Sequence, residues 1–265
     1  MNKSDSIEIV VLGSGTSAGV PMIGCHCRVC ISTDPRDKRN RCSVAVGYAG
    51  RRVLIDTPPE LRLAVIANQI DMVDAVILTH GHADHIFGLD DVRRYNTLSG
   101  QGMPILAGAK TLSVVRQAFP YAIDQAAADP LVYRPQILLQ EITGTFELFG
   151  RIWTPIYLPH GNVQVLGFRV GDFAYCTDCS DIPPQERKKL LNLDVLIIDA
   201  LRPTFHPTHL SFEQALAVID DLKPRRAYFT HLTHDVPHAE IEQQLPSHVR
   251  VLYDGLRITL PHKGG

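Results

Sequence analysis

Thr79-His80-Gly81-His82-Ala83-Asp84-His85 follows directly on the apolar run Ala75-Val76-Ile77-Leu78. A run this short and this apolar predicts a buried strand. Where it stops, three imidazoles and a carboxylate are offered from one turn. That donor set suits Zn(II), Mn(II) or Fe(II), which accept neutral imidazole and carboxylate together. A merely polar turn is the weaker reading: only 12 of 265 residues are histidine, and three fall here.

The surrounding composition is that of a soluble globular enzyme, 45% apolar and 20% charged. The length suffices for one large domain or two small ones. Net charge is −2 and pI about 6.6, so no basic excess exists to hold a nucleic acid. Met1 to Ser6 has no apolar segment of the kind that opens a secretory signal, and no run is long enough to span a bilayer. The expectation is a cytoplasmic protein that binds neither nucleic acid nor membrane. Cysteines stand at 25, 27, 30, 42, 176 and 179. In such a compartment the cluster of three predicts a metal site rather than disulfides.

Before the histidine turn, Ile7 to Leu12 predicts the first strand and leads into Gly13-Ser14-Gly15-Thr16-Ser17-Ala18-Gly19-Val20-Pro21. Its glycines are misplaced for a dinucleotide loop, and Pro21 blocks the helical turn that such a loop opens. Cys25, Cys27 and Cys30 can reach one ion but leave a tetrahedral zinc one ligand short. His26, Cys42 and His234 are the candidates for the fourth. Cys42–Val46 and Arg52–Ile55 predict a hairpin, ending at Asp56. Asp56 suits a hydrogen bond to a metal-ligating histidine, or a cap for a helix over Glu60–Ile70.

Beyond the turn, Ile86–Tyr95 and Ala109–Phe119 predict helices and Met103–Ala107 a strand. Arg93 or Arg94 could meet an anionic substrate, although surface arginines are more often simply solvated. Residues 120–135 read as an irregular loop. Glu147–Pro155, Val165–Val170, Phe173–Cys176, Val195–Ile198 and Arg226–Thr230 predict strands. Ser211 with Gln214 forms a capping box for a helix over Phe212–Leu222.

The His-x-His-x-Asp-His order of residues 80–85 resembles the signature of the metallo-β-lactamase fold superfamily. The resemblance implies an α/β fold, a four-layer αβ/βα sandwich of two facing mixed sheets with helices outside. It covers 1–265 as a single domain, with a zinc-binding loop inserted at about 21–42. Two divalent ions, drawn from Mn, Zn and Ni, are implied. His80, His82, His160 and Asp178 would hold the first, and Asp84, His85, Asp178 and His231 the second, with a hydroxide between them as nucleophile. The net positive centre would favour an anionic phosphodiester without excluding acyl substrates.

Pro207-Thr208-His209-Leu210-Ser211 looks like the phosphodiesterase branch, which makes His209 a catalytic acid and Asp84 its companion, with His206 a weaker candidate. The Gly-Cys-x-Cys-x-x-Cys loop together with the late Thr-His-x-x-His, Thr230 to His234, is similar to the family acting on phosphoribosyl 1,2-cyclic phosphate in the carbon–phosphorus lyase pathway. By that match Cys25, Cys27, Cys30 and His234 hold a structural zinc and the substrate is a small anionic phosphodiester; superfamily members are often dimers, so a homodimer is the expectation. A ribonuclease Z-like enzyme, a thioester or lactam hydrolase, and a pyrroloquinoline quinone biosynthesis-like protein are the alternatives.

Overall fold

Fourteen strands appear in the computed structural model among the described residues, 6–123 and 133–260. In chain order they are β1 (Ile7–Gly13), β2 (Ser43–Tyr48), β3 (Arg51–Ile55), β4 (Ala75–Ile77), β5 (Met103–Ala107), β6 (Ile137–Glu141) and β7 (Phe146–Leu148). There follow β8 (Arg151–His160), β9 (Val163–Val170), β10 (Phe173–Cys176), β11 (Val195–Asp199), β12 (Arg226–Thr230), β13 (Val249–Val251) and β14 (Arg257–Leu260). The helices are α1 (Leu61–Ala67), α2 (Ala83–Ile86), α3 (Arg93–Ser99), α4 (Ala109–Ala118), α5 (Pro120–Ile123), α6 (Pro184–Arg187), α7 (Phe212–Leu222) and α8 (His238–Gln244).

Two seven-stranded sheets result, ordered β14-β1-β2-β3-β4-β5-β6 and β13-β12-β11-β10-β9-β8-β7. Each combines three antiparallel pairings with three parallel ones. Sheets that mix both kinds need cover on both faces, and here both faces are covered. Ile9, Val46, Ile55 and Ile77 meet Trp153, Phe168, Tyr175 and Ile197 in the central layer. The outer face of the first sheet packs on α1 and α4 through Leu61, Leu112 and Val115. The outer face of the second packs on α7 and α8 through Val218, Ile219 and Ile241. The four-layer αβ/βα sandwich is therefore present. Among the described residues no helix is long and apolar enough to cross a membrane.

Several boundaries differ from the sequence reading. The strand expected over Glu147–Pro155 is two, β7 and β8, joined by Phe149 and Gly150 at φ 50 and 77. That two-residue turn needs positive φ at both positions, and a phenylalanine at the first conceals it. The helix expected over Ile86–Tyr95 is broken into α2, a 3-10 stretch over Phe87–Val92, and α3. Gly88 lies so close to the backbone that a Cβ there would stand 2.2 Å from the Pro58 carbonyl oxygen. Residues 120–123 are helical rather than irregular, and 124–132 of that expected loop lie outside the described residues. The capping box at α7 forms as expected, with both Ser211 and Gln214 bonding reciprocally.

Residues 21–42 carry no strand and only a 3-10 turn at Pro35–Asp37. Buried Arg39 pins this segment, donating to Ser14 Oγ at 2.9 Å, to the Leu252 carbonyl and to His238 Nδ1 at 3.1 Å. The His238 amide donates to Asp37 Oδ1 at 2.7 Å. Burial first and Arg39 second push His238 down to about 4.

A histidine depressed in the fold contributes stability above its unfolded pKa, and loses it as pH falls toward the folded value. Wild-type stability relative to His238→Gln is therefore expected to fall by about 2 kcal/mol between pH 7 and pH 5. Urea denaturation of both proteins at the two pH values measures it. An unchanged gap would mean that His238 is not held neutral.

Candidate metal centre

Six strand ends converge on one edge of the sandwich, all at carboxyl termini, where open α/β sheets present their ligands. Asp56 follows β3, the His80–His85 turn follows β4, and His160 ends β8. Asp178 follows β10, Asp199 ends β11, and His231 follows β12. Three of these take left-handed backbone: Asp56 at φ 64, Asp178 at φ 55 and His231 at φ 62. Such conformations cost free energy in non-glycine residues and cluster where geometry is functional. Each turns a side chain from the sheet onto the shared edge.

The hydrogen bonds then fix which ring nitrogen each histidine offers. Thr79 Oγ1 donates to Asp56 Oδ2 at 2.9 Å, so His80 Nδ1, 3.0 Å away, donates to that hydroxyl. His85 Nδ1 donates to Asp56 Oδ2 at 2.7 Å, and His160 Nδ1 donates to the Thr208 carbonyl at 3.0 Å. A Cβ on Gly161 would stand 2.9 Å from Thr208 Cγ2, so a side chain there would push this loop away from His160. In all three histidines Nδ1 is committed to an outer partner, so Nε2 is the nitrogen that faces the centre, the arrangement outer partners impose on metal-ligating histidines.

The facing atoms converge. His80 Nε2 and His82 Nδ1 are 2.8 Å apart. His85 Nε2 lies 3.3 Å from Asp84 Oδ2 and 3.5 Å from Asp178 Oδ2, and His231 Nε2 lies 3.1 Å from Asp178 Oδ1. His80, His82 and His160 form one group with ligand atoms within 4.8 Å of one another. His80, His85 and Asp178 form another, and Asp84, His85 and His231 a third. His85 Nε2 and His231 Nε2 are buried without a hydrogen bond, a costly state for lone nitrogens and a fitting one for metal ligands.

Electrostatics agree. Burial and the neighbouring charge of His85 hold His80 well below its usual range, and burial lowers His160, so both stay neutral. For His85 and His231 burial opposes the charge, but Asp178 outweighs it and raises both. The residues thus fit divalent ions.

Two outer carboxylates hold the set. Asp56 was legible as a strand-end acid beside a histidine; it does not cap the following helix. Asp199 was not singled out, although Leu196-Ile197-Ile198-Asp199 repeats the apolar-run-then-acid pattern of Leu54-Ile55-Asp56. Fully buried, Asp199 Oδ2 accepts from His209 Nδ1 at 2.8 Å and from the Cys179 amide at 2.8 Å. Cys179 contributes that amide and a small packed side chain. His209 belongs to the centre's rim: one ring nitrogen lies within 4.8 Å of ligand atoms of His160 and Asp178, and its ring stacks on His231 with centroids 4.6 Å apart.

Arg93 is not at the centre. It pairs with Asp90 and lies over the Tyr133 ring. Arg93 and Arg94 line a groove with Leu61, Ile66 and Tyr95, away from the histidines.

A second cluster stands apart. Cys25, Cys27 and Cys30 Sγ lie 3.4, 3.2 and 3.5 Å from His234 Nδ1. Zn–S near 2.3 Å and Zn–N near 2.0 Å place S and N of a tetrahedral site about 3.5 Å apart, so the four donors fit one zinc. Of the other two candidates for fourth donor, Cys42 is buried against Thr230 Oγ1 and His26 stands outside the group. The Cys30 amide and then His234 lower Cys27 to about 6, which favours a thiolate, while burial raises Cys30 to about 11.

Fold and centre together define a metal-dependent hydrolase domain. Residues 51–232 match the β-lactamase superfamily domain, and the chain belongs to that family. A solved structure described as a new diphosphatase from the PhnP family is 41% identical at a TM-score of 0.90, covering 96% of this chain and 97% of that one. An octanoyltransferase of Porphyromonas gingivalis is 36% identical over 263 residues, 97% of this chain and 52% of the relative, so the chain spans about half its length. A coenzyme PQQ synthesis protein B of Methylorubrum populi is 27% identical over 226 residues, 73% of this chain and 72% of the relative.

Proposed function

We propose that the chain is a phosphodiesterase that opens a small cyclic phosphate, 5-phosphoribosyl 1,2-cyclic phosphate, to the 1,5-bisphosphate. The observation carrying this reading is the buried Asp199–His209 pair at the rim of the centre. Opening a cyclic diester expels an alkoxide, a poor leaving group that needs a proton. A histidine has the pKa for that task.

Two divalent ions, Mn or Zn, held by His80, His82, Asp84, His85, His160, Asp178 and His231 would supply an acidified water and positive charge facing phosphorus. The chain's own residues do the rest. Asp199 accepts the His209 Nδ1 proton and so fixes the ring's orientation, which leaves Nε2 as the nitrogen that hands its proton to the departing oxygen as the P–O bond breaks. Asp84 stays ionised, because His85 outweighs the burial that opposes its charge, and it serves the reaction by accepting a hydrogen bond that orients the attacking water. In this reading the partner is a small anion and not a nucleic acid, and the enzyme works in the cytoplasm as a homodimer.

Phosphorus NMR of the Mn(II)-supplemented protein tests the reading. Conversion of the 1,2-cyclic phosphate to a single monoester is expected, faster than opening of 2′,3′-cyclic AMP; no conversion of either would end it. A second reading, cleavage of a diphosphate, is favoured by the name of the 41% identical relative. ADP run alongside separates the two. An acyl thioester, one kind of substrate the Porphyromonas relative's name suggests, would give His209 no strongly basic leaving group to protonate. Iron- and oxygen-dependent turnover would instead point toward the pyrroloquinoline quinone relative.

Replacing Asp199 by Asn is expected to lower kcat about 10²- to 10³-fold with little change in KM, because the proton is then misplaced on the ring. The loss should shrink markedly for bis(p-nitrophenyl) phosphate, whose leaving group needs no acid. Equal losses on both substrates would remove the acid role from His209.

A further inference from the structure

The loop from Arg202 to His209 carries more basic chemistry than proton transfer to a leaving group requires. Arg202 is partly buried, and its Nη2 donates to the Phe205 carbonyl at 3.2 Å. Its Nε is buried without a hydrogen bond, and none of the ion pairs formed among the described residues involves it. A half-buried guanidinium served by one carbonyl is an expensive arrangement unless an anion completes it.

His206 lies four residues on. Its Nδ1 accepts from the Thr208 amide at 3.3 Å and lies 3.2 Å from the Thr208 hydroxyl. Accepting through Nδ1 places the proton of the neutral ring on Nε2. His206 therefore offers a preset N–H donor, half-buried, with its ring centroid 5.1 Å from that of His209. Between Ala200 and Thr208 the loop contains no carboxylate. His206 thus stands beside the proton-donating residue and Arg202 is tied to Phe205 of the same loop, with no acid of that loop to neutralise either.

We propose that Arg202 and His206 form a subsite for a second phosphate of the substrate, one that does not react. It rests on the phosphodiesterase reading and deepens it: the preferred substrates carry a phosphomonoester a short distance from the scissile diester. The guanidinium supplies charge and two-point geometry, and His206 Nε2–H supplies direction. Binding energy from the remote phosphate then holds the scissile group in register with His209. A substrate lacking it would bind more weakly and be less well aligned.

The test compares ribose 1,2-cyclic phosphate with and without the 5-phosphate, using the metal-loaded full chain. Wild type should prefer the phosphorylated form by about 100-fold in kcat/KM. In Arg202→Gln and His206→Ala that preference should fall at least tenfold, chiefly through KM. His206→Gln, which keeps a donor, should recover part of it, and Arg202→Lys, which keeps charge but not the fork, should recover less.

Calorimetric binding of ribose 5-phosphate gives a readout independent of turnover. Weakening of at least tenfold in Arg202→Gln and His206→Ala, at unchanged metal content, supports the subsite even if neither cyclic phosphate is hydrolysed. That outcome would overturn only the cyclic-phosphate reading. Equal binding to wild type and both variants, or an equal loss on both ribose substrates, overturns the subsite.

Discussion

Asp178→Asn is expected to lower kcat/KM for the cyclic diester at least about 10⁴-fold, equivalent to about 5.5 kcal/mol of transition-state stabilisation. Asp178 faces both halves of the centre. Its two oxygens lie 3.5 Å from His85 Nε2 and 3.1 Å from His231 Nε2, and it shares ligand range with His80 and His160. Thr177 Oγ1 donates to Oδ2 at 2.6 Å and holds the carboxylate in place.

Asparagine is the informative replacement. It tolerates the left-handed backbone at φ 55, where alanine would add strain to the chemical loss. An amide keeps the size of the carboxylate but removes the negative charge that two dications would share. Metal content should drop by at least one ion per chain, while the cluster of three sulfurs and one nitrogen at Cys25, Cys27, Cys30 and His234 keeps its own. Steady-state kinetics with elemental analysis measures both effects. Loss of less than tenfold with the metal content of wild type would show that Asp178 is not the shared ligand.

The sequence is most legible where one physical requirement dominates. An apolar run that halts at a histidine-rich turn needs no partner to be understood, so β4 and His80–His85 could be placed from local pattern alone. The same holds for α7, whose capping box lies within four residues. Legibility fails where the deciding contact is distant. Asp199 shows its purpose only when β11 is laid beside β10 and the loop returns His209 to within 2.8 Å. Its strand-end position was a usable signal, since Asp56 and Asp178 end their apolar runs alike. β6, β13 and β14 are short edge strands whose pairing partners lie elsewhere in the chain, so period alone does not set them apart. Arg93 looked available from sequence because Asp90, three residues earlier, is its partner only in the folded 3-10 turn.

His234→Ala and His231→Ala form the second decisive comparison, because only two residues separate them and yet their expected effects diverge. His234 Nδ1 is the nitrogen that closes the cysteine cluster, joining residue 25 to residue 234 across a separation of 209 positions. Closing so long a loop removes considerable freedom from the unfolded chain, about 5 kcal/mol in the ideal case. The real gain is smaller, since Arg39 and the Arg28–Glu240 pair already fasten the same segment. A loss of about 3 kcal/mol is therefore expected for His234→Ala, which for a chain of this size lowers Tm by about 10 °C. One zinc per chain should disappear, with hydrolysis reduced only as far as the loosened loop disturbs the rim.

His231→Ala should keep that zinc and most of the thermal stability, while losing about 10³-fold or more in kcat/KM, since His231 faces Asp178 and not the sulfurs. Calorimetry with zinc analysis on the two variants decides the matter. If both lose the same ion, the two clusters are one site and the division of labour fails. If His234→Ala alone loses zinc and melts early, this loop carries chemistry and architecture side by side: the turn that delivers His231 to the centre is fixed three residues later by a metal that takes no part in the reaction.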